Sequence, residues 1–485
     1  MHMFTRYFRN FLLAGLLVIA ATASASVRDG YKIQLKFTDI KDTLVYLAHY
    51  YGKPLPTIYR RDSVKLDKNG VGMMQTKEKI VGGIYMILLA DKATYFDFLL
   101  NNGDDITINA SIKGLPLSVK FTGSEENNHF LEYGKFLSTF GAEQQQFMDE
   151  LKTAKTAADS TAITKKMTEK GKALIRYRKD YSKKYPNSLL SKIFNALNLP
   201  EVPEGKHYLA DGKTEDTTFA YNYYKAHYWD GFDFNDNRLI HAPIYDARLN
   251  EYFNRLVLQY EDSVIKEGEA LLKKTKNSEE LFKYTLWWLT NNAGSSKVMG
   301  MDAVYVYFVE NYHMKGLATW LSDEDLKKHI DNARKIAPNV IGNLAPDLNM
   351  RDTANRDMPL SSVKSKYTLL VFWSPDCGHC KDEMPKLDSV YRAVLKNKGV
   401  KIYAVTTLND EKMWKDFIRE KKLQDWIHVW DPEVRTNFRD KYNVYMTPIL
   451  YLLDEKKIIK GKRIDYTNIA GLLEFLEKKE KAGKQ

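Results

Sequence analysis

Only two cysteines occur in this chain, and they stand three positions apart, at Cys377 and Cys380. That pair constrains the fold more than any other feature. An apolar run, Tyr367–Trp373, reads as a buried strand, and the residues from 380 to 395 keep helical spacing. A strand that stops where a helix starts, with a Cys at the junction, is a unit of an α/β sheet. Two Cys this close cannot close a long stabilising loop, which leaves local redox chemistry or part of a metal site.

The chemistry open to the pair follows from its place. Unpaired N–H groups and the partial positive charge at a helix start stabilise a thiolate at Cys377. A thiol with a pKa near the ambient pH attacks a disulfide best, and Cys380, one turn on, can resolve the mixed disulfide. His379 adds positive charge or a hydrogen bond beside the sulfur, while Asp376 opposes it. A zinc site needs further soft or imidazole ligands, and no second Cys pair follows, so no metal is expected. Ser374, three residues before Cys377, also suits a thiol peroxidase. A redox-inactive module that binds a partner is the reading without turnover.

Elsewhere the chain divides by pattern. Arg6 and Arg9 precede a short apolar run at 11–20, and Ala21-Thr22-Ala23-Ser24-Ala25 offers small-residue cleavage sites. Residues 1–25 therefore read as a signal peptide removed near Ala25, and the mature chain is expected in the periplasm or otherwise secreted. The formal net charge is +11, but Lys is spread among Glu and Asp. No Arg-rich stripe with interleaved aromatics points to nucleic acid.

Residues 26–123 read as an antiparallel β-sandwich-like domain. Tyr31–Phe37 alternates with period two, and Lys68-Asn69-Gly70 and Asn102-Gly103-Asp104 supply turns of hairpin type. At Ser124, a helix cap, the period changes, and 124–340 reads as an all-helical domain. Within it His227, Asp230, Asp233, Asp236 and His241 have the chemistry to line a cleft or hold a cation, and the other reading is aromatic packing of a helix-connecting turn with Asp caps. Residues 341–485 return to alternating strands and helices: strands at Tyr367–Trp373, Val400–Thr406, Ile427–Trp430, 449–453 and 458–463, and helices at 380–395, 411–421, 433–442 and from 468. The expected architecture is multidomain, ending in an α/β domain.

Several short motifs carry a family likeness. Gly342-Asn343-Leu344-Ala345-Pro346-Asp347, Phe372-Trp373, Cys377-Gly378-His379-Cys380, Glu383-Met384-Pro385, Asp431-Pro432-Glu433 and Thr447-Pro448 together resemble the thioredoxin superfamily, in its extracytoplasmic TlpA/ResA/DsbE-like branch. The likeness covers about 341–481 and implies a thioredoxin-like fold for 341–485. Residues 31–121, with Asp62-Ser63-Val64, the Asn-Gly-Asp turn and the following Thr122-Gly123-Ser124-Glu125-Glu126-Asn127, resemble a small β domain often found ahead of such domains in secreted proteins of Gram-negative bacteria.

What the resemblance implies is specific. Pro448 should be cis and face the two Cys across a shallow groove, leaving the Thr447 backbone open to a substrate strand. Cys377 is the nucleophile and Cys380 resolves. Glu383 takes and returns the Cys380 proton, a role that ordinary thioredoxins give to an acid six residues before the first Cys, where Val371 stands here. Trp373, Gly378 and His379 shape and tune the groove. No dissociable cofactor is needed, since the dithiol carries both electrons. The expected partners are protein disulfide substrates and a membrane thiol donor such as a DsbD-like protein. Reductase is the expected direction, with disulfide isomerase or oxidase left open because the Gly-His pair resembles that of isomerases. The first two domains are assigned to holding substrate or to self-association as a homo-oligomer.

Overall fold

A computed structural model describes residues 28–482, and the expected signal peptide lies outside the described residues. The chain forms two compact units, one of residues 28–47, 61–82 and 86–139, the other of 48–60, 83–85 and 140–482.

Alternation builds the N-terminal β region. β1 (Tyr31–Phe37) buries Tyr31, Ile33, Leu35 and Phe37 along one face. It is followed by β2 (Leu44–His49), β3 (Tyr59–Lys65), β4 (Val71–Thr76), β5 (Gly83–Leu88), β6 (Tyr95–Leu100), β7 (Asp104–Ala110) and β8 (Lys120–Thr122). They form two four-stranded sheets, ordered β4-β1-β7-β8 and β3-β2-β5-β6. The turns are where expected, but they do not make hairpins. The Asn69-Gly70 turn joins β3 to β4 and the Asn102-Gly103 turn joins β6 to β7, and each pair is split between the two sheets. The Asp67 carboxylate accepts from the amides of Asn69 and Val71 at 2.8 and 2.9 Å, which reverses the chain whatever partner the next strand finds. In consequence β1 pairs in parallel with β7, with Ile33 opposite Ile106 and Leu35 opposite Ile108.

The middle region is helical. Ser124 Oγ accepts from the Asn127 N–H at 3.3 Å and starts α1 (Glu125–Thr153). There follow α2 (Ala157–Lys184), α3 (Leu189–Leu197), α4 (Phe219–His227), α5 (Tyr245–Glu251), α6 (Glu261–Thr275), α7 (Glu279–Ser295), α8 (Met301–Phe308) and α9 (Asp323–Ile336). The ligand-capable turn after α4 is a packing centre. Tyr228, Trp229, Phe232 and Phe234 are buried there, and Asp236 caps the next 3-10 turn by accepting from the Arg238 N–H at 3.1 Å. No described helix is long and apolar enough to cross a membrane.

The C-terminal region is a seven-stranded sheet with helices on both faces, thioredoxin-like in its alternation. Its elements are β9 (Asn349–Asp352), β10 (Asp357–Pro359), β11 (Tyr367–Trp373), α10 (Gly378–Val390), β12 (Val400–Thr406), α11 (Glu411–Glu420), β13 (Ile427–Trp430), α12 (Phe438–Lys441), β14 (Ile449–Asp454), β15 (Ile459–Lys462) and α13 (Ile469–Ala482). The order is β10-β9-β13-β12-β11-β14-β15. Central β11 is buried throughout, parallel to β12 and antiparallel to β14. Its Leu369, Val371 and Trp373 join one core with α10 and α11, while Leu370 and Phe372 join the other.

Two local expectations change. The β9–β10 hairpin has no counterpart in the sequence reading. The helix expected over 433–442 shrinks to α12, because the Asp431 carboxylate captures the Arg435 and Thr436 amides at 2.9 and 2.6 Å and Val434 takes φ +51°.

Candidate active site

Cys377 and Cys380 lie where β11 gives way to α10. Cys377 is the N-cap residue, with extended backbone, and stays partly exposed. Cys380, on the first turn, is completely buried in one cluster with Trp373, Met384 and Leu387. Both are free thiols.

Their surroundings set them apart. Burial opposes ionisation of Cys377, but hydrogen bonds from the Thr447 side chain and from the N–H groups of Cys380 and His379 outweigh it, so its pKa falls below that of an ordinary thiol. Cys380 has lost its contact with water, and burial pushes it up to about 12. One sulfur gives up its proton more readily than an ordinary thiol, and its neighbour far less readily.

The Thr447–Pro448 peptide is cis. Its approach to Cys377 is closer than the groove picture suggests: Cys377 Sγ–H donates to the Thr447 carbonyl at 3.3 Å. In the dithiol form that carbonyl is therefore engaged rather than open to a substrate strand. Ionisation of Cys377 removes the donor and frees the carbonyl.

The remaining expected residues fall at different depths. Gly378 is exposed, and a Cβ there would meet nothing within 4 Å, so the face above the thiols is open. His379 is exposed and helps Cys377 through its main-chain N–H. Asp376 is also exposed and accepts from the Ser374 hydroxyl. Glu383 is half-buried on α10, one turn beyond Cys380, with no hydrogen-bond or ion-pair partner among the described residues. Trp373 does not line the groove. The strand's alternation turns it inward, fully buried, with its ring centre 5.0 Å from that of Phe417. No substrate can touch it, and its contact with the site is from behind Cys380.

The sequence reading missed features on the rim. Tyr445 and Met446, 59% and 75% exposed, stand directly before Thr447. Two large apolar side chains in succession at a solvent-facing turn were the available signal. A cleft of about 200 Å³ opens between the ends of β12 and β13, lined by Thr407, Leu408, Trp430, Val434, Phe438 and Arg439 among others. It abuts the site because the Thr407 N–H donates to the Trp373 carbonyl at 2.8 Å. No three His, Cys, Asp or Glu side chains among the described residues are grouped to hold a metal ion.

Parts of the chain are similar to known proteins. Residues 341–462 match the AhpC/TSA family. The thiol–disulfide oxidoreductase ResA of Geobacillus kaustophilus is 30% identical over 126 residues, which cover 25% of this chain and 70% of that protein. The chain belongs to the thioredoxin-like thiol–disulfide oxidoreductases. The sporulation thiol–disulfide oxidoreductase A of Bacillus subtilis is likewise 30% identical over 117 residues, covering 24% of this oxidoreductase and 68% of that one. Among solved structures, a domain of a possible thiol-disulfide isomerase from Cytophaga hutchinsonii is 40% identical and aligns with a TM-score of 0.29, covering 30% of this oxidoreductase and 99% of that chain. Residues 152–339 match a domain of unknown function, DUF5106.

Proposed function

We propose that this oxidoreductase reduces disulfides of protein substrates through its Cys-Gly-His-Cys dithiol, outside the cytoplasm. The observation that carries the reading is the contrast between a partly exposed Cys377 of lowered pKa and a buried Cys380 held near 12. The Cys377 thiolate attacks one sulfur of the substrate disulfide, forming a mixed disulfide and releasing the other sulfur as a thiolate. Cys380 then gives up its proton to Glu383, half-buried one turn further along α10. The Cys380 sulfur attacks Cys377 Sγ, the mixed disulfide breaks, and the second substrate sulfur leaves. The protein ends as the Cys377–Cys380 disulfide, and the substrate gains both electrons and two protons. A membrane-bound dithiol donor of the DsbD-like kind resets the pair.

One observation favours a second direction. A stabilised Cys377 thiolate stabilises the reduced protein, which raises the potential of the couple toward isomerase or oxidase behaviour.

The test has two parts. A Cys380→Ser variant incubated with insulin should accumulate a mixed disulfide through Cys377, and Cys377→Ser should accumulate none. Alkylation of Cys377 by iodoacetamide should follow a pKa below that of a free thiol, with Cys380 unreactive at neutral pH. Absence of the trapped species would sink the exchange reading, and a redox titration of the couple decides its direction.

A further inference from the structure

Contacts that thiol chemistry does not require join the helical region to the loop carrying Thr447 and Pro448. Asn339, fully buried at the end of the 3-10 turn after α9, uses both ends of its amide. Its Nδ2 donates to the carbonyls of Lys335 and Lys441, each at 3.0 Å, and its Oδ1 accepts from Lys462 Nζ at 2.6 Å. Lys462, on β15, also pairs with Asp302 of α8. Four residues before Asn339, on the surface, Lys335 Nζ lies 5.6 Å from the centre of the Tyr445 ring. The Tyr445 hydroxyl donates to Asp440 at 3.1 Å.

These anchors converge on one short stretch. Lys441 closes α12, Tyr445 stands two residues before Thr447, and Thr447 touches Cys377. Between them Asn443 takes φ +51°, Val444 is buried, and the Tyr442 carbonyl accepts from Tyr451 Oη at 2.7 Å. A loop of this kind keeps a fixed shape only when neighbouring side chains hold it.

We propose that Asn339 and Lys335 are positioning residues for protein substrates, holding the 441–447 loop so that Thr447 presents its backbone to a client strand beside Cys377. This rests on the exchange reading above and extends substrate recognition beyond 341–485 into the helical region. Protein and small disulfides make different demands on the loop. A client strand pairs along Thr447 and passes over Tyr445 and Met446, whereas a small disulfide needs only the Cys377 sulfur.

The test compares the full-length wild type with Asn339→Asp, Lys335→Met and Lys335→Arg, each checked for cooperative melting by circular dichroism. One substrate is insulin, turned over with dithiothreitol. The other is dithiobis-nitrobenzoate, in a single turnover of the pre-reduced protein. Asn339→Asp keeps the acceptor for Lys462 and loses the donor to Lys441. It should raise the insulin KM about tenfold while the small-disulfide rate stays within about twofold, the pattern of a lost binding contact. Lys335→Met should raise the insulin KM about threefold, and Lys335→Arg should restore it. Should Asn339→Asp fail to fold, the Lys335 pair carries the test. An unchanged insulin KM in the folded variants overturns the proposal, and so does an equal loss on both substrates. Failure of the wild type itself to reduce insulin sinks the exchange reading instead, and with it this extension.

Discussion

At the scale of single residues, burial decides what each ionisable group beneath the site can do. Cys380 and His428 are both shut off from water, and both are held in their uncharged forms. His428 donates from Nε2 to the Leu423 carbonyl at 2.8 Å, and burial depresses its pKa from 6.5 to about 4. A depressed folded pKa means stability that is complete above the unfolded value and is lost as the pH falls through the folded one. The C-terminal region should therefore weaken between pH 6.5 and about 4, by on the order of 3 kcal/mol in total. Hydrogen exchange of the β12 and β13 amides measures this. His428→Gln keeps a donor for Leu423 without taking up a proton and should flatten the slope; a slope as steep as the wild type's would show that another group is responsible.

At the scale of elements, legibility tracked how local the deciding interaction is. The strand-to-helix junction at Cys377 was readable because an apolar run, a Pro and a Cys pair all fall within fourteen residues, and β12, β13 and β14 were readable from their own apolar runs. Sheet pairing in the N-terminal region was not. The Asn-Gly turns signal a reversal, but which strand lies beside β1 depends on distant residues such as Ile106 and Ile108. The expected helix over 433–442 failed for a local reason that propensity does not weigh, the competition of the Asp431 carboxylate for two main-chain amides. Of the site, Cys377, Cys380 and the cis Thr447–Pro448 pair were in view from the sequence, while the inward turn of Trp373 and the engaged Thr447 carbonyl needed the fold. Asp431→Ala should release the Arg435 and Thr436 amides. The expected cost is about 1–2 kcal/mol, read as a lower urea midpoint together with faster exchange at those two amides. No change at either amide would mean that the turn is held by other contacts.

At the scale of the whole molecule, one buried cation ties regions that the sequence reading keeps apart. Lys462 is 5% exposed, and burial lowers its pKa while Asp302 of α8 counters the fall. Asp302→Ala leaves that ammonium without its counter-charge and should cost about 3 kcal/mol, lowering the melting temperature of the helical and C-terminal regions together. Lys462→Met on the Asp302→Ala background should recover most of the loss; a double variant as unstable as the single one would assign the effect to Asp302 alone. The concealment of Cys380 has its own consequence under the exchange scheme proposed above. A sulfur that sheds its proton slowly lets the first covalent adduct persist, and during that interval the departing partner thiol can strike back and undo the bond. Loosely seated visitors then escape unchanged, and only those that linger are processed to the end. The hidden thiol works as a timer, turning dwell time into selectivity.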